Sequence, residues 1–265
     1  MAPGSQSATP LAADPALAEI ARRIVERTGL IAYANTPQTL AARIDARINA
    51  LGLSGYAAYL TLLAGAQSER EWDELIAEVT VGETYFFRYS AQMEALRDIV
   101  LSGLLTATGK SELRIWCAGC ANGAEPYSLA ILLRRDLMRE TADRQISILG
   151  TDICKARLAQ AARGAYGEWE LRALPEAYRR DCFQKEGGAA VLRDDYKRFV
   201  EFRPLNLVME GPAFEARYAG AFDIILCRNV MIYFSREQNR RLLRHFYGCL
   251  KEGGWFVTGH AEPYF

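Results

Sequence analysis

Two different hydrophobic patterns divide the chain. Residues 1–13 show no periodicity, which predicts a flexible tail, and apolar side chains then recur every three or four residues. This spacing places them on one face of a helix. Gly29 is typical of a helix end, while the Thr36-Pro37 pair and Ser68 are typical of helix starts. The pattern predicts a small all-helical unit over residues 14–80.

Beyond this unit, short apolar runs alternate with helical segments. The runs predict strands at 113–118, 146–151, 199–203, 222–227 and 254–259. The helical segments lie at 90–100, 124–139, 155–163 and 236–250. Strands that are apolar on both faces and joined by helices form parallel sheets covered on both sides. We therefore expect an α/β domain over residues 81–265, with a doubly wound, mostly parallel sheet.

One segment departs from this alternation. Gly187 and Gly188 lie between two short runs that contain Phe183 and Val191, as in a β-hairpin. The pattern predicts a small antiparallel β-subdomain inserted at about 183–202.

Charge and hydropathy exclude several classes of protein. The chain of 265 residues has 32 Lys plus Arg and 32 Asp plus Glu, so its formal net charge is zero, which argues against nucleic acid as a partner. No apolar run reaches the roughly 20 residues that a membrane span needs. The first residues lack the basic start and apolar core of a secretory signal. We expect a cytoplasmic protein without membrane insertion.

The six cysteines are too few for a disulfide scaffold in a chain of this length. Cys117 and Cys120 have metal-ligand spacing, but there is no second pair, and the chain has two histidines. We expect buried free thiols and no metal site.

In a doubly wound sheet, ligands bind beyond the carboxyl ends of the strands. The loop Gly119–Pro126 follows the first strand and has glycines that allow close backbone approach, or that simply make a tight turn. Asp152 ends the second strand, where a carboxylate can hold ribose hydroxyls or cap the next helix. Asn206 follows the third strand and is suited to an adenine edge or to an Asx turn.

Polar and aromatic residues also follow the helical unit and the fourth strand, in VGETYFFR (81–88) and CRNVMIYF (227–234). Together with AGCANGAEPYSLAIL (118–132), LGTDICKARLAQAARGAYGEWELRALP (149–175) and FVEFRPLNL (199–207), they resemble the CheR-type chemoreceptor glutamate O-methyltransferases. The likeness runs from about Ala16 to His260. It implies the methyltransferase fold, S-adenosylmethionine as cofactor and S-adenosylhomocysteine as product.

The resemblance also implies roles for particular residues. Arg88 and Tyr233 would be catalytic and lie beside the transferred methyl group, and Arg88 would also contact the cofactor carboxylate. The implied cofactor-binding residues are Gly82, Thr84, Arg88, Ala118, Gly119, Glu125, Asp152, Asn206, Leu207, Arg228 and Asn229.

The implied partner is the cytoplasmic helical part of a methyl-accepting chemoreceptor, which a monomeric enzyme would dock through its helical domain. Arg43 and Arg47 lie one turn apart and face away from the apolar stripe of their predicted helix, so we expect them to meet the receptor. A non-catalytic scaffold that binds S-adenosyl ligands, or a methyltransferase with another acceptor, remains an alternative.

Four features bear on how closely the chain follows the family pattern. Gly82 stands where the family commonly has Asn, and Ala124 replaces one of two acidic residues, so we expect the loss of polar cofactor contacts. The hairpin loop between Phe183 and Val191 is short, as in members that do not use a peptide tether at the receptor's C-terminus. The final hairpin of the family is expected to be absent after Phe265.

Overall fold

The computed structural model describes residues 14–31, 37–106 and 111–262. The predicted tail over residues 1–13 and the predicted cap Thr36 lie outside the described residues. No helix in the described part combines the length and apolar character that a membrane crossing would need.

Four helices form the first unit, as the apolar periodicity predicts. They are α1 (Pro15–Thr28), α2 (Pro37–Leu51), α3 (Tyr56–Ala64) and α4 (Glu69–Val79). Asp14 caps α1 by accepting hydrogen bonds from the N–H groups of Ala16 and Leu17 at 2.8 and 3.2 Å. Gly29 ends it in the left-handed conformation, with φ of +76°. The apolar stripes of all four helices meet in one core that is separate from the sheet.

Two strands form the centre of the second unit, β1 (Glu112–Ala118) and β2 (Gln145–Asp152). They pair in parallel, and β2 also pairs in parallel with β6 (Val200–Pro204). On the other side, β1 pairs with β7 (Phe222–Cys227), which pairs with β8 (Leu250–Thr258), again in parallel. The order β6-β2-β1-β7-β8 confirms the doubly wound parallel sheet. From β1 the chain first adds strands on one side, β2 and β6, and then on the other side, β7 and β8. Such sheets bind ligands at the point where the strand order reverses.

Helices cover both faces of the sheet. They are α5 (Ser90–Ala95), α6 (Ser102–Thr106), α7 (Ala124–Ile131), α8 (Lys155–Arg163), α9 (Glu168–Leu171), α10 (Glu176–Cys182), α11 (Asp194–Lys197), α12 (Gly211–Tyr218) and α13 (Arg236–Cys249). A π-helical segment continues α5 over Leu96–Leu101, and another continues α7 over Leu132–Asp136. The four short helices α9, α10, α11 and α12 were not predicted from the sequence.

The antiparallel β-subdomain has three strands, in the order β3-β5-β4. These are β3 (Ala165–Tyr166), β4 (Phe183–Glu186) and β5 (Ala189–Leu192), and Gly187 and Gly188 form the turn with φ of +54° and +87°. The predicted end near residue 202 is wrong. The hairpin ends at Leu192, because the next residues form α11 and then the β6 strand of the main sheet.

Candidate active site

A cleft of about 300 Å³ opens at the carboxyl ends of β1, β2 and β7, beneath the helical unit. The structure brings most of the predicted site residues together in it. Those that line the cleft are Gly82, Thr84, Arg88, Gly119, Glu125, Asp152, Asn206, Leu207, Arg228, Asn229 and Tyr233. Ala118 does not line it, because its side chain is buried in the core between the sheet and α13.

The loop after β1 brings backbone to the floor of the cleft. Gly119 has φ of +76°, and a Cβ on it would lie 2.4 Å from a methyl carbon of Val230, so this position requires glycine. Ala121 adopts φ of +49°, and its N–H donates to Oδ2 of Asp152 at 2.8 Å. The loop therefore makes a close backbone approach to the cleft rather than serving as a packing turn alone.

Asp152 joins two loops at the end of β2. Its Oδ1 accepts from the N–H of Cys154 at 2.8 Å, in addition to the bond from Ala121. Burial raises the pKa of this carboxyl, although the two backbone hydrogen bonds and the nearby Arg157 oppose the effect. A carboxylate has about four acceptor positions, so Asp152 can accept hydrogen bonds from a ligand as well.

Arg228 connects three segments around the cleft. Its guanidinium donates to Oε2 of Glu125 at 2.8 Å, to Oε1 of Gln92 at 2.8 Å and to the carbonyl of Arg88 at 2.7 Å. The side chains of Arg228 and Glu125 are 2% and 12% exposed, so this is a buried ion pair. It fixes the segment after the helical unit against the start of α7 and the end of β7.

Arg88 is held beside the cleft with donor capacity remaining. Its Nη1 donates to the carbonyl of Glu83 at 2.8 Å, and its guanidinium lies 5.9 Å from the ring centre of Tyr85 and 5.3 Å from that of Tyr89. Its Nε is buried and has no hydrogen-bond partner among the described residues. A buried donor without a partner is costly, so Arg88 is suited to an acidic ligand.

Strained backbone is concentrated at this cleft. The non-glycine residues with positive φ in the described ranges are Phe87, Tyr89, Ala121 and Asn229. Phe87 and Tyr89 flank Arg88, and Ala121 and Asn229 lie in the loops after β1 and β7. Such conformations cost of order 1–3 kcal/mol each and cluster at functional sites.

The side chain of Asn206 makes the Asx turn. Its Oδ1 accepts from the N–H groups of Val208 and Met209 at 3.1 and 3.2 Å, and its Nδ2 donates to the carbonyl of Arg27 at 2.6 Å. Asn206 thereby ties the loop after β6 to the end of α1. A contact of Asn206 or Leu207 with adenine stays a prediction.

The expectation that Arg43 and Arg47 form an outward-facing pair is wrong. Arg47 makes a two-point ion pair with Glu71 at 2.7 and 2.9 Å, and these side chains are 16% and 9% exposed. Tyr59 donates to the same carboxylate at 2.6 Å. Arg43 donates to the carbonyl of Glu78 and lines the cleft. Both arginines thus fasten α2 to α4, because they flank the apolar stripe of α2 at the edge of the core that α2 shares with α4.

Cys117, near the end of β1, and Cys120, just after the strand, are buried thiols. Burial raises the pKa of both Cys117 and Cys120 well above the usual range, so the thiolate that binds metals is disfavoured. Within the described residues, no cluster of His, Cys, Asp and Glu has the arrangement of a metal site.

Sequence reasoning missed two side chains, one that supports a loop of the cleft and one that lines the cleft. Glu262 is buried, and it accepts from the N–H of Val230 at 2.7 Å, which positions the loop after β7. Arg157 lines the cleft from the first turn of α8. The sequence carries little signal for either, since each resembles an ordinary surface charge.

Both units of the chain match models of known protein families. Residues 82–265 match the family described as CheR methyltransferase, SAM binding domain, and residues 15–80 match its all-alpha domain. A "Probable chemotaxis protein methyltransferase" of Rhizobium etli is 37% identical over 226 residues, covering 83% of this chain and 82% of that protein. The chemotaxis protein methyltransferase of Escherichia coli is 32% identical over 249 residues, covering 92% and 83%.

The residues of the cleft fit S-adenosylmethionine. Asp152 offers acceptor positions for ribose hydroxyls, the Arg88 guanidinium has donor capacity for a carboxylate that the described residues do not fill, and the Gly119 loop lets backbone approach closely. With matches that span 15–80 and 82–265, the chain belongs to the CheR methyltransferase family, and its cofactor is S-adenosylmethionine.

Proposed function

We propose that this chain methylates glutamate carboxylates on chemoreceptor helices and produces glutamate methyl esters. The observation that carries the proposal is the single cleft in which Arg88, Asp152 and Tyr233 meet beneath a helical domain. A separate domain beside the cleft suits a macromolecular acceptor better than a small one. The relatives named chemotaxis protein methyltransferases are aligned through both domains, which supports the same acceptor here.

For this reaction the main task of the protein is to align the carboxylate oxygen, the methyl carbon and the sulfur. When bound, S-adenosylmethionine supplies an electrophilic methyl group on a sulfonium, which accepts the electron pair of the broken carbon–sulfur bond. A glutamate carboxylate has an ordinary pKa of about 4.3, so it is ionised at neutral pH and needs no general base. Holding the reacting atoms in line can supply about 7–11 kcal/mol of the barrier.

Hydrogen bonds hold the cleft segments in place for this alignment. Arg228 donates to the carbonyl of Arg88, and Asp152 accepts from the N–H of Ala121 in the Gly119 loop. We assign Arg88 to the carboxylate end of the cofactor and Asp152 to the ribose. Between them, Tyr233 faces the acceptor, and its hydroxyl helps to orient the incoming carboxylate.

The test uses cofactor labelled in the methyl group and a purified receptor cytoplasmic fragment. We expect the receptor to become labelled, and we expect alkali to release that label as methanol, since methyl esters hydrolyse in base. Label should be absent from a receptor fragment whose acceptor glutamates are alanine. Tight binding of S-adenosylhomocysteine without label in any receptor would indicate a non-catalytic scaffold. Label that resists alkali would indicate another acceptor group.

Arg88 and Tyr233 are expected to affect turnover as well as binding. Arg88→Ala and Tyr233→Phe should each lower the rate at saturating cofactor by at least about tenfold, because each removes a polar contact near the reacting atoms. Arg97→Ala is a matched control, since Arg97 pairs with the neighbouring Asp98 on the surface. Wild-type turnover in both Arg88→Ala and Tyr233→Phe would contradict their assignment.

We further propose that the enzyme works without a receptor tether. The hairpin joins β4 to β5 by the two-residue turn Gly187-Gly188, so there is no longer loop to hold an extended peptide. Titration with the receptor's C-terminal peptide should give no measurable heat, and deleting that peptide should leave the methylation rate unchanged. Micromolar binding that Lys185→Glu weakens would overturn this proposal, since Lys185 lies at the centre of the hairpin strand β4.

A further inference from the structure

The guanidinium of Arg157 occupies the space beside Gly82. A Cβ built on Gly82 would lie 1.8 Å from both Cζ and Nη1 of Arg157, and 2.2 Å from its Nε. The resemblance to the family implies Asn at this position, and in this chain the space that a side chain at position 82 would enter is filled by the Arg157 guanidinium. The glycine makes room for the arginine.

Arg157 is not fully bonded in this place. Its Nη2 donates to the carbonyl of Thr80 at 3.2 Å, while its Nε is buried and has no hydrogen-bond partner in the described part of the chain. The side chain lines the cleft, as do Asp152 and Ile153 from the same junction between β2 and α8. A guanidinium that lines a ligand cleft, with donor capacity that the described residues leave unused, is suited to hydrogen-bond a ligand acceptor.

We propose that Arg157 is a cofactor-binding residue, whose guanidinium donates hydrogen bonds to the nucleoside half of S-adenosylmethionine. It replaces the contact that the loss of Asn at position 82 would otherwise remove. We choose the nucleoside half because Arg157 lies near Asp152. This choice rests on the proposed function above, in which Asp152 binds the ribose. The amino acid half is assigned to Arg88, as above.

The proximity of Arg157 also supports the ionised form of its neighbour. Its positive charge opposes the effect of burial on the pKa of Asp152 and so favours the carboxylate that accepts ribose hydroxyls. Arg157 thus acts on the ribose directly and through Asp152.

Calorimetry with two ligands tests the proposal without any methylation assay. S-Adenosylhomocysteine contains both halves of the cofactor, whereas 5′-methylthioadenosine lacks the amino acid half. Arg157→Ala should weaken both by a similar factor of about ten. Arg88→Ala should weaken S-adenosylhomocysteine and leave 5′-methylthioadenosine unchanged. Because the readout is binding, it holds whether or not a receptor is the acceptor.

Gly82→Ala gives an independent way to move the same guanidinium. The added Cβ displaces the flexible end of Arg157, and no positive φ at Gly82 opposes alanine, so folding should be kept while binding falls as in Arg157→Ala. The double variant should be no weaker than either single one. Lys155→Ala is the matched control, since Lys155 lies on the same turn of α8 and pairs on the surface with Asp73 at 2.9 Å.

Three results would overturn the proposal. If Arg157→Ala binds both ligands with unchanged affinity, the arginine has only a structural role, in which it joins α8 to the carbonyl of Thr80. Weakened S-adenosylhomocysteine with unchanged 5′-methylthioadenosine would place the guanidinium at the amino acid half. Wild-type affinity in Gly82→Ala would show that the arginine does not need the space beside Gly82.

Discussion

Asp152→Asn is expected to weaken S-adenosylhomocysteine binding roughly 100-fold or more. Two ribose hydroxyls would donate to this carboxylate, and a hydrogen bond to a charged group is worth about 1.5–3 kcal/mol. The substitution also disturbs the acceptors that hold Ala121 and Cys154, so the Gly119 loop loses part of its support. Isothermal titration calorimetry measures the effect. Asp73→Asn, which changes an exposed carboxylate on α4, should bind normally.

The same carboxyl predicts a pH dependence. Ribose hydroxyls need the ionised form, and burial raises the pKa of Asp152 above that of an ordinary aspartate. As the pH is lowered, the affinity for S-adenosylhomocysteine should therefore begin to fall at a pH at which an exposed aspartate is still ionised. The Asp152→Asn protein should lack this part of the pH profile. Equal profiles in the two proteins, or an unchanged dissociation constant, would remove Asp152 from the ribose site.

Arg228→Ala is expected to lower the free energy of unfolding of the methyltransferase domain by about 3–5 kcal/mol. It leaves the buried Glu125 carboxylate without its partner, and it removes donors from Gln92 and from the carbonyl of Arg88. Arg228→Lys should recover part of the loss, because a lysine keeps the charge but cannot reach all three acceptors in a fixed fork. Urea unfolding followed by circular dichroism gives the free energies.

An exposed pair provides the comparison for Arg228. Arg241 pairs with Glu237 on α13, where both side chains are more than half exposed, so Arg241→Ala should cost no more than about 1 kcal/mol. If Arg228→Ala costs as little as Arg241→Ala, the pair with Glu125 does not hold the site together.

Much of the fold follows from patterns that the sequence carries locally. The apolar stripes of α1, α2 and α4 are long enough to show a helical period, and the fully buried strand β7 shows as a short continuous apolar run. The parallel arrangement then follows from alternation with helices, and it places Asp152 and Gly119 at the carboxyl edge of the sheet, where ligands bind. The short helices α9 and α11 have four residues each, too few to show a period.

The errors at the site come from partners that are distant in the sequence. Arg47 looks exposed on α2, because nothing in the sequence shows that Glu71, 24 residues away, lies against that face. Arg157 likewise looks like a helix surface charge until Gly82 is placed beside it. Charged residues become buried through such tertiary pairs, and the period of apolar residues does not report them.

A crystal structure of the chain with S-adenosylhomocysteine would show how the cleft orients its ligand. We expect the ribose hydroxyls on Asp152, the ligand carboxylate on Arg88 and the sulfur facing Tyr233, within the cleft between the helical domain and the sheet. A ligand bound elsewhere, or bound in this cleft with its carboxylate at Asp152 and its ribose at Arg88, would contradict this assignment.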